Sequence, residues 1–355
     1  MKIRNLFASV FAASLLFMTA CKDDNNEAIV SKGAYEGGIL VSVEGGFNKN
    51  QAEVSYITSD LASMSENIFA ANNNKQVLGD VLQTIGFKDD KAYLVVNNSN
   101  KVEVVNRYSF QKLTTFQVEQ PRAIAFNGNN TYITTNDFFG KYALNVFNAA
   151  TNASVKTISF DRYAEKVVSV GNYVVVQTDG STYEMTPPYG EIPSGHTITT
   201  VNAGTNAIEK TITLTDDGII RDMISANGYA YVLSSGKTDS YIYEIDAATG
   251  SFKSSKLTGV ANADNLRFAG GNLYFMDGSR GVYTKATAST AAPTKMFTYP
   301  ATTDLYPYAF DVIDGKIYIA DVNFNSSSKV MVYSMTGSLL KSFNMGNGVN
   351  GFYKN

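Results

Sequence analysis

Gly228-Tyr-Ala-Tyr-Val-Leu-Ser234 is a turn residue followed by a short β-run that carries a tyrosine, and the figure recurs along the chain. It stands again at Asp90-Lys-Ala-Tyr93, Asn129-Asn-Thr-Tyr132, Gly271-Asn-Leu-Tyr274 and Gly315-Lys-Ile-Tyr318, with Gly171-Asn-Tyr-Val174 as a variant. Successive copies are 39 to 57 residues apart, and a degenerate copy at Gly37-Gly-Ile-Leu40 makes seven. A repeat of that length built only of strands and turns is the signature of a β-propeller, because no single blade can bury its own faces. The expected fold is therefore all-β, a seven-bladed β-propeller with four-stranded blades.

Within a repeat the strands read off in order. Residues 122–126 lead into 131–135, 143–147 and 155–160, and the pattern returns at 221–225, 229–234, 240–245 and 252–258, then at 308–313, 316–321, 329–334 and 339–345. Between third and fourth strands stand Asn148-Ala-Ala-Thr-Asn152, Asn202-Ala-Gly-Thr-Asn206 and Asp246-Ala-Ala-Thr-Gly250, whose Asn, Asp and Gly suit tight hairpins. The first repeat lacks an innermost strand before Gly37, and Asn350-Gly-Phe-Tyr-Lys354 has no repeat after it. The two ends are expected to complete one blade and so remove two exposed sheet edges. The repeat tyrosines are then packing residues between blades, not a platform for stacking bases.

The N-terminus reads as an export signal. Lys2 and Arg4 precede an apolar run from Leu6 to Met18, too short to span a bilayer, which ends at Met18-Thr-Ala-Cys21 and passes into Lys22-Asp-Asp-Asn-Asn. Cys21 is the only cysteine, so no disulfide forms within the chain, and its place after small residues marks it as the lipidated residue of a lipoprotein; ordinary cleavage leaving a stray thiol is the alternative. Residues 1–20 are the expected signal peptide, 21–36 a lipidated flexible tether and 37–355 the propeller. Two or more acyl chains hold such a protein on a membrane stably. The acidic start after Cys21 resembles the signal with which one large group of Gram-negative bacteria sends lipoproteins to the outer face of the outer membrane. That location is expected here.

Removing residues 1–20 leaves 27 basic against 32 acidic side chains, a net charge of −5. Nucleic acid is not an expected partner, since phosphate binding needs a clustered basic excess. His196 is the single histidine, which argues against a metal site built on imidazole or thiolate and against a Ser-His-Asp arrangement. The chain has no tryptophan, unlike quinone-cofactor propellers, tryptophan-aspartate repeats and sialidase-type aspartate boxes. No cofactor is expected, and Asp89-Asp90 and Asp216-Asp217 read as solvated turns.

Counting ten residues back from each aligned tyrosine places Gln83, Arg122, Ala164, Arg221, Asp264 and Tyr308 at the starts of the innermost strands, with Asn350 in the first blade. These positions should encircle one end of the central tunnel. Their arginines, amides, acid and phenol suit a polar ligand. Around them lie Asn- and aromatic-rich loops that include Phe138. One repeat is long, and its excess falls between second and third strands in Ser181-Thr-Tyr-Glu-Met-Thr-Pro-Pro-Tyr-Gly-Glu-Ile-Pro-Ser-Gly195. With Tyr183 and Tyr189 it projects from the same face, where long loops tend to carry function.

Leu78-Gly-Asp-Val-Leu-Gln83, Lys91-Ala-Tyr-Leu-Val-Val-Asn-Asn-Ser-Asn-Lys-Val-Glu-Val-Val105 and Gln120-Pro-Arg-Ala-Ile124 resemble the YVTN-type propellers of bacterial outer-surface lipoproteins. A subset of that family captures vitamin B12 and related corrinoids and passes them to a TonB-dependent outer-membrane transporter. The resemblance implies a surface lipoprotein that binds a ligand, a corrinoid first of all, and presents it for uptake. A surface module that binds protein or glycan is the alternative reading, and a lactonase- or lyase-type propeller enzyme comes third. The candidate ligand-binding residues are Gln83, Arg122, Arg221, Asp264, Tyr308, Tyr183, Tyr189 and Phe138; no residue is assigned to catalysis or to a metal.

Overall fold

Seven antiparallel four-stranded sheets stand in chain order around an axis, each leading into the next through a short crossing. The computed structural model describes residues 31–187, 189–287 and 289–355, so the expected signal peptide, Cys21 and the first part of the tether lie outside the described residues. The chain from Gly33 to Asn355 forms one unit. The second blade is built of Leu82–Lys88, Lys91–Val96, Lys101–Asn106 and Lys112–Gln117, and the third of Pro121–Asn127, Asn130–Asn136, Tyr142–Asn148 and Ser154–Phe160. The innermost strands of the fourth to seventh blades are Val167–Val170, Ile219–Ala226, Asp264–Ala269 and Tyr306–Ile313. The strand order expected within each repeat is the order observed.

The first blade takes Ile39–Val43, Glu53–Ile57 and Met64–Ser65 from the start of the propeller and Val349–Lys354 from the end of the chain. Leu40 faces Tyr353 and Val41 faces Phe352 across that seam. Asn355 carries the closure one blade further: its Oδ1 accepts from Arg107 Nε at 2.9 Å and its Nδ2 donates to the Arg107 carbonyl at 2.9 Å. The Arg107 guanidinium lies 4.0 Å from the centre of the Phe87 ring.

The repeat tyrosines fill the joints between blades. Tyr93, Tyr132, Tyr231 and Tyr318 are buried almost completely. Tyr93 packs with Ile133 and Phe147 of the following blade, Tyr132 with Val174 and Val201, Tyr231 with Leu266 and Phe275, and Tyr318 with Val349 and Phe352 across the seam. Burying such rings is the largest apolar gain a sheet-on-sheet joint can make, which explains their return in five of the seven units. The hairpins behave as their composition requires. Asn148 Oδ1 accepts from the amides of Ala150 and Thr151, Asn202 Oδ1 from Gly204 and Thr205, and Asp246 Oδ1 from Ala248 and Thr249.

Candidate functional site: the mouth of the tunnel

A register slip in the innermost strand sets the geometry of the tunnel mouth. Gln83 lies between the pairs Leu82–Val96 and Thr84–Val95 and has no partner of its own. Arg221 is skipped between Ile220–Ser234 and Asp222–Leu233, Tyr308 between Pro307–Asp321 and Ala309–Ala320, and Asn350 between Val349–Val43 and Gly351–Ser42. In the third blade Arg122 and Ala123 together oppose the single residue Thr134, and in the sixth the slip falls just after Asp264. In the fourth, Gln177 accepts from the Glu165 amide and donates to the Lys166 carbonyl. A bulge re-aims its extra residue away from the pleat. Here the extra residue belongs to the ring.

A cavity of about 260 Å³ runs along the axis, lined by innermost strands of all seven blades, among them Gln83, Arg122, Glu165, Arg267, Asp311 and Asn350. The expected ring is therefore drawn together in part. Gln83, Arg122 and Asn350 line the tunnel, Tyr308 joins them through Glu44, and Arg221 and Asp264 interact electrostatically at the rim. Ala164 is fully buried, and Glu165 supplies the fourth blade's polar side chain.

The charges at the mouth already have partners. Arg122 Nε lies 2.9 Å from each oxygen of Glu165 and its Nη2 2.7 Å from Oε1. Burial works against the Arg122 charge, but Glu165 more than offsets it, and the guanidinium's pKa ends above its ordinary value. Glu44 Oε1 accepts from Tyr308 Oη at 2.7 Å and from Asn350 Nδ2 at 3.0 Å. Burial nonetheless raises the Glu44 pKa, the two hydrogen bonds and nearby Arg122 opposing it only in part. Burial beside Glu44 also pushes the Tyr308 phenol well up. Asp264 is open to solvent at the rim, yet the surrounding walls and repulsion from Asp222 raise its pKa.

Deeper in, Arg267 Nη1 reaches Asp222 at 2.8 Å and Nε reaches Asp311 at 3.2 Å, while Lys166 stands 3.5 Å from the other Asp222 oxygen. Despite complete enclosure, Lys166 and Arg267 keep the Asp222 pKa below its ordinary value. Of this inner layer and its rim, Glu44, Glu165, Lys166, Asp222, Arg267 and Asp311 are absent from the candidates read from sequence.

The insertion folds into its own hairpin, Ser181–Glu184 against Gly190–Pro193. Its root is tied by the buried Asp179, whose oxygens take Arg162, the Thr197 amide at 2.8 Å and the Thr197 hydroxyl at 2.6 Å. Glu191 grips Arg221 with two bonds of 2.7 and 2.5 Å, and this bond lowers the Glu191 pKa. Tyr183 pairs directly with Glu191, so both side chains leave the hairpin on the face toward Arg221. Tyr183 and Tyr189 are each 69 % exposed.

Apolar rings crowd this end of the propeller. Phe138 lies half-exposed with its ring 5.2 Å from the Arg122 guanidinium, and Tyr308 meets Phe324 edge to face at 5.1 Å. Phe47, Phe139 and Met185 are exposed on loops of the same face, those joining second to third strands, and Tyr306 is exposed at the start of an innermost strand. Among the described residues no group of three or more His, Cys, Asp or Glu side chains is placed to hold a metal.

No protein-family model matches the sequence, and no curated protein matches it significantly. Solved structures share the fold at low identity. The computationally designed Ika8 protein superposes with a TM-score of 0.57 at 11 % identity, over 90 % of this chain and 91 % of that one. Dihydro-heme d1 dehydrogenase NirN, in complex with DHE, gives 0.56 at 12 % identity over 92 % and 78 %, and apo AztD from Citrobacter koseri 0.55 at 11 % over 90 % and 98 %. At such identities the likeness is one of fold: the chain is a seven-bladed β-propeller.

Proposed function

We propose that the protein is a ligand-binding module whose site is the aromatic-rimmed tunnel mouth, and that the ligand is a corrinoid. The carrying observation is the pairing of two surfaces on one face: a ring of amides, phenol and neutralised ion pairs, and around it the exposed rings of Phe47, Phe138, Phe139, Tyr183 and Tyr189. A corrinoid is a broad macrocycle with an apolar face and a fringe of amides. Rings at the rim suit the face, and Gln83, Asn350 and the carboxylates suit the fringe. What favours binding over turnover is that Glu44, Glu165 and Glu191 at the mouth are each tied to a partner of the fold.

On the same reading the protein is lipidated at Cys21, sits on the outer face of the outer membrane and hands its ligand to a TonB-dependent transporter. The support is the sequence from Lys2 to Asn26. Calorimetry with cyanocobalamin and cobinamide tests the ligand; binding at micromolar concentrations is expected. If neither binds, the corrinoid reading fails and a surface module for protein or glycan takes its place. Labelling with an alkyne fatty acid tests the anchor, since label retained by Cys21→Ala would defeat it.

A further inference from the structure

The hairpin builds a second cavity beside the mouth. A groove of about 640 Å³ opens between it and the fifth blade, with Glu191, Ile192 and Pro193 on one wall and Thr215 to Ile219, Ser235 to Asp239 and Tyr241 on the other; Asn262 of the next crossing closes one side. That volume is in the range of small-molecule sites. The Arg221–Glu191 pair lines this groove, while Arg221 also interacts with Tyr163 and Asp264 at the mouth.

Most charges in the groove are already neutralised or locked. Glu191 is held by Arg221. Asp239 takes Lys256 at 2.9 Å and the Gly259 amide at 2.7 Å. Asp216 accepts from Tyr243 at 2.6 Å, Ser234 at 2.5 Å and the Gly218 amide at 2.7 Å. Among the described residues that leaves Asp217 and Lys237, both exposed and without a partner, as one acid and one base. The two free charges that face the groove, Asp217 and Lys237, are opposite in sign, and Asp216 spends both oxygens on donors of the fold. The groove offers donors and acceptors mixed at close spacing, from Asp217, Lys237, Asn262, Thr215 and Thr238, beside apolar patches at Ile192, Pro193 and Ile219.

We infer that this groove is a binding site for a neutral saccharide of one or two sugar units. A sugar hydroxyl both donates and accepts, so it suits a wall where acid, amide and hydroxyl groups alternate, and its C–H face suits the proline and isoleucines. An anion would meet Asp217, and an organic cation would meet Lys237. The inference concerns a cavity apart from the tunnel mouth and does not rest on the corrinoid reading.

Calorimetry on the folded chain with maltose, cellobiose, lactose and xylobiose, and with glucuronic acid and glucosamine as charged counterparts, tests it. At least one neutral disaccharide is expected to bind at millimolar concentration or tighter. Asp217→Ala should weaken it roughly tenfold to a hundredfold and Asn262→Gly about twofold to tenfold, the effects of losing one charged and one neutral hydrogen bond. Neither change should move the melting temperature, since Asp217 has no partner and Asn262 holds a backbone φ of 52° that glycine accepts. Absence of binding by every probe, preference for a charged sugar, binding indifferent to both variants, or displacement of the sugar by cyanocobalamin would each overturn the assignment.

Discussion

Arg122 and Glu165 meet across the boundary between the third and fourth blades, each about five-sixths buried, with Phe138 lying against the guanidinium. Removing one partner leaves the other's charge enclosed. Arg122→Ala is expected to cost about 2 kcal/mol of stability. Adding Glu165→Gln should recover part of it, and urea unfolding of the two single variants and the double variant measures the coupling. A double variant no more stable than Arg122→Ala would assign the loss to packing on Phe138 rather than to charge.

The pH dependence of folding should carry the mark of Glu53. Burial, then repulsion from Glu66, pushes its pKa up to about 7 in the folded chain, against an ordinary carboxylate value near 4.5. Between those values the folded state holds a proton that the unfolded state has lost. This group's contribution to stability therefore falls as pH rises from about 4.5 to 7. Glu53→Gln should raise the melting temperature at pH 8 and flatten that slope, which calorimetric scans at pH 5 and pH 8 will read. An unchanged slope would show that Glu53 ionises freely.

Closure through the chain end predicts a cooperative failure when it is cut. Deleting Val349 to Asn355 removes the buried Val349 and Phe352 and exposes an edge on Ile39–Val43, so aggregation or a broad, lowered transition is expected. A monomer with the parent melting temperature would refute the seam. Arg107→Ala, which loses the bonds to Asn355 Oδ1 and the Lys354 carbonyl and the cover over Phe87 and Tyr108, should lower stability without loss of solubility.

Gly180 sits at the root of the hairpin, where a methyl group would run into the ring of Tyr163. Tyr163 feels the charges of both Arg122 and Arg221. Gly180→Ala is expected to cost about 1–3 kcal/mol through this overlap, and Tyr163→Ala in the same background should return most of it. Thermal unfolding of the pair provides the check.

The blades were legible because two signals coincide in five of the seven: a turn residue that restarts the chain, and a tyrosine that only a neighbouring blade can bury. Gly228 with Tyr231 and Gly315 with Tyr318 are plain instances. The ring was legible as a set of positions, since a fixed count back from the tyrosine lands near each bulge. Its partners were not. Glu44 reaches the mouth from a loop and Glu191 from the inserted hairpin, whose paths the blade repeat does not dictate, and Glu165 stands one place beyond the counted Ala164, before the short inner strand of the fourth blade. Adjacent opposite charges at Glu165-Lys166 and Arg221-Asp222 were the one sequence signal that a layered charge network lay there.

The slipped registers around the axis separate what holds the protein up from what it presents. A residue outside the ladder owes nothing to pairing, so the blades are indifferent to whether it is an arginine, a phenol or an amide. Gln83, Arg221 and Tyr308 can therefore be exchanged one at a time while the sheets behind them stay as they are. The propeller is in that sense a printed frame with movable type at its centre, and retargeting the mouth calls for new letters rather than a new fold.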